Sequence, residues 1–162
     1  MKKIISFSWA HALVGVALTG LLFSFSSSTG SGAHSVQIYL DSKLVIEQYI
    51  SSKANTPKLI LNPSEKHNEL IVKYNECGRT VSGRKITLKD DHDKVLKDWS
   101  FEGESTGYKE SMSCLVKDII ALKPKGSNTL KLYYSSTDFP DGSQIASIVI
   151  GDKSSTASNQ SR

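Results

Sequence analysis

The sequence contains few of the residues that metal, redox and nucleophilic sites require. Only two cysteines and four histidines occur in 162 residues. A redox pair usually has the spacing Cys-x-x-Cys, and a structural zinc site needs four ligands at recognisable spacing. The chain contains neither pattern. The one Gly-x-Ser-x-Gly run, residues 103–107, lies in a polar loop, whereas a nucleophile elbow lies between a strand and a helix. We therefore expect a protein that is not an enzyme and that uses no cofactor.

The chain also lacks a strong charge of one sign. Twenty basic and 16 acidic residues give a formal net charge of +4. Without Lys2 and Lys3, at the N-terminus, the net charge would be about +2, a value that favours solubility. The remaining charges are interspersed, and no basic run alternates with aromatic residues as it does on faces that bind single-stranded nucleic acid. We expect no nucleic-acid partner.

The first 33 residues show the order of features that is typical of a secretory signal peptide. Lys2 and Lys3 supply a positive start, residues 4–25 are largely apolar, and residues 26–32 are small and polar. We predict a signal peptide over 1–33 and an exported protein, periplasmic or extracellular. An uncleaved membrane anchor is the alternative, because the apolar run is long enough to cross a bilayer. No second run of this length follows, so we expect no membrane span after cleavage.

Export would place the two cysteines, Cys77 and Cys114, in an oxidising compartment. There, two cysteines most economically form one disulfide. We therefore predict a Cys77–Cys114 bond that ties the end of one strand to the start of another. A clear hairpin pattern over 84–101 lies between them, and Trp99 in its second strand is expected to be part of the core.

Apolar and polar residues alternate with a period of two along most of the remaining chain. The clearest runs are 36–50, which reads as a hairpin, and 69–74, 84–101, 114–122, 129–135 and 145–150. Together with a short run over 58–61, they predict about nine short strands and no helix. We expect an all-β domain over 34–151, an antiparallel β-sandwich that is Ig-like or jelly-roll-like. The polar residues 152–162 have almost nothing to bury, which predicts a disordered tail.

The turn of the central hairpin holds the densest group of potential metal ligands: Asp90, Asp91, His92 and Asp93. Carboxylates bind calcium, and an imidazole could join them around a transition metal. However, the alternating ligands around a glycine that known calcium loops use are missing. Aspartates at a hairpin tip also commonly bond to their own backbone. We favour a solvated turn over a metal site.

Two tyrosines are predicted to lie on polar faces of strands. Tyr39 shares its face with Gln37, and Tyr133 shares its face with Lys131. A sugar ring or a partner's side chain could stack on such a ring. The alternative is the ordinary cross-strand pairing of half-exposed tyrosines. The polar loop over 103–112 is a second candidate contact surface.

These patterns together predict an exported, non-catalytic β-sandwich that binds a protein partner or assembles in the cell envelope. One alternative is a carbohydrate-binding module that uses exposed tyrosines. Another is a small secreted hydrolase, for which Glu102, Glu104 and Glu110 are candidate carboxylates. A flat apolar patch would favour a protein partner. Aligned tyrosines beside amides and carboxylates would favour a sugar.

Overall fold

The computed structural model describes residues 34–50 and 55–151. The predicted signal peptide and the predicted tail therefore lie outside the described residues. In chain order the elements are β1 (His34–Leu40), β2 (Lys43–Ile50), β3 (Lys58–Leu61), β4 (Glu69–Asn75), β5 (Thr80–Val81), β6 (Arg84–Lys89), β7 (Val95–Phe101), β8 (Ser105–Thr106), β9 (Met112–Leu115), α1 (Val116–Ala121), β10 (Thr129–Ser135) and β11 (Ser143–Ile150). The domain is all-β, as predicted. Two strands of only two residues each, β5 and β8, help to bring the number above the nine expected.

The longer strands form two sheets. Sheet A has the order β2-β1-β4-β9, and sheet B has the order β3-β11-β10-β6-β7. Neighbouring strands run antiparallel except β3 and β11, which are parallel. The hairpins predicted for β1–β2 and β6–β7 are both confirmed.

The inner faces of both sheets contribute to one hydrophobic cluster. Buried and half-buried residues alternate strictly in β4, β6 and β10, the pattern that the period of two predicts. Fully buried members include Ile38 and Val72 of sheet A and Ile86 and Leu132 of sheet B. Burial of each such side chain stabilises the fold by about 1.5–3 kcal/mol. Two sheets that share one core are consistent with the predicted sandwich.

The segment 114–122, predicted as a strand, is divided between β9 and the helix α1. The helix buries Val116 and Ile119, which are three positions apart and so lie on one face. At its start, the backbone N–H of Val116 donates to the carbonyl of Asn68 over 2.9 Å. A short apolar run fits both periods, which is why the sequence pattern was misleading here. No helix in the described part of the chain is long and apolar enough to cross a membrane.

The predicted disulfide is not formed, and both cysteines are free. Cys114 lies opposite Leu70 near the start of β4, whereas Cys77 follows the last residue of β4, Asn75. The intervening extended chain spans on the order of 20 Å. A disulfide needs Cα atoms within about 7 Å of each other. The prediction was wrong because the two strand ends that it joined are at opposite ends of β4.

The second strand of the central hairpin is less buried than expected. Trp99 and Phe101 pack against the core as partly buried residues, but Val95 is 49% exposed. The register between β6 and β7 shifts near the turn, where Leu88 lies opposite Lys97 and Lys89 lies opposite Val95. The shift removes Val95 from the face that Trp99 occupies.

Candidate functional site

The outer face of sheet A carries three of the four large hydrophobic side chains that are exposed in the described residues: Leu44, Tyr49 and Leu115. Leu44 lies opposite Tyr39, and Tyr49 lies opposite Ser35, on the face that alternates with the buried Val36 and Ile38. Leu115 follows the buried Cys114. The fourth, Val95, belongs to sheet B. The exposed apolar surface is therefore concentrated on one face of one sheet.

Four outward apolar or aromatic side chains of sheet A, two exposed and two half-buried, lie close in register at one end of the face. Leu44, Tyr39 and Ile71 are neighbours across β2, β1 and β4. Leu115 of β9 lies opposite Glu69, two residues before Ile71 on β4. Leu44 and Leu115 are each 42% exposed. We call Tyr39, Leu44, Ile71 and Leu115 the apolar patch.

A row of polar side chains borders the apolar patch. Gln37 lies between Glu47 on β2 and Lys73 on β4. Its amide Nε2 donates to Glu47 Oε1 over 2.7 Å, and its Oε1 accepts the hydroxyl of Tyr39 over 3.0 Å. The ammonium of Lys73 lies 5.7 Å from the centroid of the Tyr39 ring, a cation–π contact. These contacts hold Tyr39 in place and orient the Glu47 carboxylate.

Beyond the polar row, the same face opens into a cleft of about 370 Å³. Its lining residues are Ser35, Glu47, Gln48, Tyr49 and Tyr108, and we call it the tyrosine cleft. Tyr108 comes from the segment between β8 and β9, and its hydroxyl donates to Ser35 Oγ over 2.7 Å. Tyr49, on the edge strand β2, is 73% exposed. Tyr108 lies within the loop that the sequence indicated as a contact surface.

The two tyrosines predicted to bind a ligand are not brought together. Tyr39 lies on the outer face of sheet A. Tyr133 lies opposite Thr87 on β6 and belongs to sheet B. The ammonium of Lys89 lies 4.2 Å from the centroid of the Tyr133 ring. Both rings are half-buried and each carries a lysine, but they do not form one surface.

The aspartates of the β6–β7 turn have the contacts of a stabilised hairpin tip. Asp90 Oδ1 accepts the backbone N–H of His92 over 2.9 Å. An Asp91 carboxylate oxygen lies 2.8 Å from His92 Nδ1, and Asp93 is paired with Lys131 at 2.8 Å. The hydrogen bond from Lys131 lowers the pKa of the Asp93 carboxyl. One potential ligand atom from each of Asp90, Asp91 and His92 lies within 4.8 Å of the others. The side chains of Asp90, Asp91 and His92 therefore lie close together, whereas the Asp93 carboxylate pairs with Lys131 instead.

A histidine held by two carboxylates connects the β1–β2 turn to the loop before β4. His67 Nδ1 lies 3.0 Å from Asp41 Oδ2, and Nε2 lies 3.3 Å from Glu65 Oε2. Asp41 Oδ1 accepts the backbone N–H groups of Asn68 and Glu69 over 2.9 and 3.1 Å. The hydrogen bond between them raises the pKa of His67 and lowers that of Asp41. Both imidazole nitrogens are engaged by carboxylates, so the cluster acts as an ionic clamp between two loops.

Buried polar residues gather at one end of the two sheets. In the described residues they are Ser35, Glu76, Arg84, Ser105 and Ser136. Ser35 lies opposite the last residue of β4, and β10 ends beside the start of β6, which places these positions at the same end of each sheet. Tyr134 lies there as well, and its hydroxyl donates to Glu76 Oε1 over 2.8 Å. Burial, with the adjacent carboxylate, raises the pKa of Tyr134.

The chain matches no protein-family model and no curated protein. Its candidate surfaces are the apolar patch and the tyrosine cleft. Sequence reasoning did not identify Leu44, Tyr49 and Leu115. Counting in steps of two along β9 would have placed Leu115 on the outer face, because the preceding residue, Cys114, faces the core. In β2 such counting fails at Val45, because Ile38 pairs with Ile46 and Tyr39 pairs with Leu44.

Proposed function

We propose that this protein is an exported, non-catalytic binding domain that binds a protein partner through the apolar patch. The observation that carries the proposal is the gathering of Leu44 and Leu115 beside Tyr39 and Ile71 on one outer sheet face. Single exposed hydrophobic residues are ordinary on protein surfaces, whereas a contiguous group is typical of an interaction site.

The surroundings of the patch support a protein rather than a polyanion as the partner. Glu69 and Lys73 lie beside the apolar residues on β4, and Glu47 lies in the adjoining polar row. An apolar centre with a polar rim of both signs is the anatomy of protein–protein interfaces. Nucleic acid and anionic lipid require a surface whose charge is predominantly positive, and this face carries charges of both signs.

The order of the strands supports an Ig-like sandwich as the scaffold. In immunoglobulin domains one sheet contains the neighbours A-B-E and the other contains G-F-C. Here β1-β4-β9 and β11-β10-β6 run in those orders, with three further strands at the edges: β2 beside β1, β3 beside β11 and β7 beside β6. Such sandwiches commonly act in the extracellular space and the periplasm. Export itself is proposed from the N-terminal sequence pattern.

Site-specific photo-crosslinking in cells tests the proposal. A photoreactive amino acid at position 115 should yield a discrete heavier species that contains a second protein. The matched control places the same group at Val95, which is similarly exposed, at 49% against 42%, but lies on sheet B. The double variant L44K/L115K should lose the partner while its thermal unfolding stays unchanged, because both side chains are on the surface. Equal crosslinking at both positions, or none at position 115, would contradict the proposal.

A further inference from the structure

We propose that the tyrosine cleft is a binding site for a neutral saccharide, distinct from the apolar patch. The cleft and the patch share the outer face of sheet A, but the row Gln37–Glu47 separates them. Tyr49 and Tyr108 provide two rings in a cleft of about 370 Å³. That volume lies at the lower end of the range that accommodates small ligands.

The polar groups of the cleft are held in position before any ligand arrives. The Tyr39 hydroxyl donates to Gln37, whose amide donates to Glu47 Oε1, so two successive bonds of 3.0 and 2.7 Å orient the carboxylate. On the other side, the Tyr108 hydroxyl is tied to Ser35 Oγ at 2.7 Å. Groups that are already ordered lose little conformational entropy when a ligand binds. The site is therefore preorganised on both sides.

Tyr49 is the adaptable element of the cleft. Its side chain stands on the edge strand β2 with 73% of its surface exposed. A tyrosine has an apolar ring face and a polar tip, so it can cover the C–H face of a sugar and remain hydrated. Binding would bury much of a ring that the described part of the chain leaves open to solvent.

The donor and acceptor set favours a hydroxyl-rich, uncharged ligand. The Glu47 carboxylate and Ser35 Oγ accept hydrogen bonds, and the Tyr49 hydroxyl can both donate and accept. Adjacent sugar hydroxyls can satisfy all of these groups. An anion would be repelled by Glu47, and among the described residues that line the cleft there is no lysine or arginine. A quaternary ammonium ion could stack on the rings, but it makes no hydrogen bonds and would leave the polar groups unsatisfied.

The test is an NMR titration of ¹⁵N-labelled protein with a panel of defined neutral oligosaccharides: cellohexaose, laminarihexaose, mannohexaose and chitohexaose. At least one should shift the amide signals of Glu47, Tyr49 and Tyr108 in a saturable manner. Tyr49→Ala should weaken that binding about tenfold, which corresponds to about 1.4 kcal/mol, because it removes one of the two aromatic rings of the cleft. Tyr133→Ala is the matched control, because it removes a tyrosine from the outer face of the other sheet and should leave the affinity unchanged.

Two further variants separate this site from the rest of the molecule. Tyr108→Phe keeps the ring and removes only the bond to Ser35, so weaker binding with an intact fold is expected. L115K should keep saccharide binding even where it abolishes the protein partner. The proposal is overturned if no member of the panel shifts the cleft residues, or if the shifts appear around Tyr133 instead. Tetramethylammonium chloride is titrated in parallel, and binding of this ion without saccharide would likewise overturn the proposal.

Discussion

Tyr74 of sheet A and Tyr134 of sheet B stack with their ring centroids 3.8 Å apart and an angle of 15° between the ring planes. Tyr74 is 3% exposed and Tyr134 is fully buried. In the proposed Ig-like arrangement, β4 and β10 occupy the positions of strands B and F, which antibody domains join by a disulfide. A non-covalent aromatic contact joins the two sheets here.

Tyr134→Phe should destabilise the domain by about 2 kcal/mol, because the buried Glu76 carboxylate would lose a hydrogen-bond donor. Urea unfolding measures this loss as a lower midpoint. Tyr133→Phe is the matched control on the same strand, since the Tyr133 ring is half-buried and lies on the outer face. Equal stability of Tyr134→Phe and the wild type would show that the hydrogen bond to Glu76 contributes nothing.

Mass spectrometry under non-reducing conditions should find both cysteines as free thiols. In the native protein an alkylating reagent should modify Cys77 well before Cys114, which is 1% exposed. Burial raises the pKa of the Cys114 thiol to about 12. Because the thiolate is the reactive form, its reaction is slowed further. In guanidinium chloride the two should react alike. A mass two hydrogens lower than the reduced chain would show that the disulfide forms after all.

The ionic clamp at His67 should make stability depend on pH. Folding raises the pKa of His67, so its contribution is fully present below the ordinary value of about 6.5 and is lost as the pH rises through the folded-state value. Folding lowers the pKa of Asp41, so the contribution of Asp41 is lost as the pH falls below its ordinary range. The advantage of the wild type over His67→Gln should therefore be larger at pH 5 than well above neutrality.

The measurement is urea unfolding of the wild type and His67→Gln at both ends of that range, and His92→Gln serves as the control. His92 is on an exposed turn, where its side chain is 85% exposed. His92→Gln should change stability little at either pH, because its contact with Asp91 is exposed to solvent and such pairs contribute little. An advantage of the wild type over His67→Gln that grows toward alkaline pH would contradict a stabilising pair between His67 and its carboxylates.

Gly142→Ala should be strongly destabilising. Gly142 has φ of +63°, and an added Cβ would clash with the carbonyl oxygen of Tyr134. Gly78→Ala is the control with similar backbone strain, since Gly78 has φ of +75° and nothing within 4 Å of the added atom. The left-handed conformation alone costs an alanine about 1–2 kcal/mol. Thermal unfolding should show a clearly larger loss for Gly142→Ala, and equal losses would mean that the backbone near Tyr134 moves aside.

The sequence alone determined most of the strands. In β4 and β10 an apolar residue recurs at every second position, and those positions are the buried ones. The pattern misled in 114–122, where a short apolar run suits a strand and a helix equally. It also misled at Val95, because a register shift exchanges the two faces of a strand and is not visible in the spacing of side chains.

Only the tertiary structure decided which strands are neighbours and in which register. Those contacts join positions far apart in the chain, such as Leu70 with Cys114, whereas periodicity carries only local information. For that reason the sequence could show that Cys77 and Cys114 lie near strand ends. It could not show that they lie at opposite ends of β4, too far apart to form a disulfide. For the same reason it indicated Tyr39 as half-exposed without indicating Leu44, Ile71 and Leu115 beside it. The candidate surfaces depend on strand pairing, which hydrogen bonds between distant segments establish.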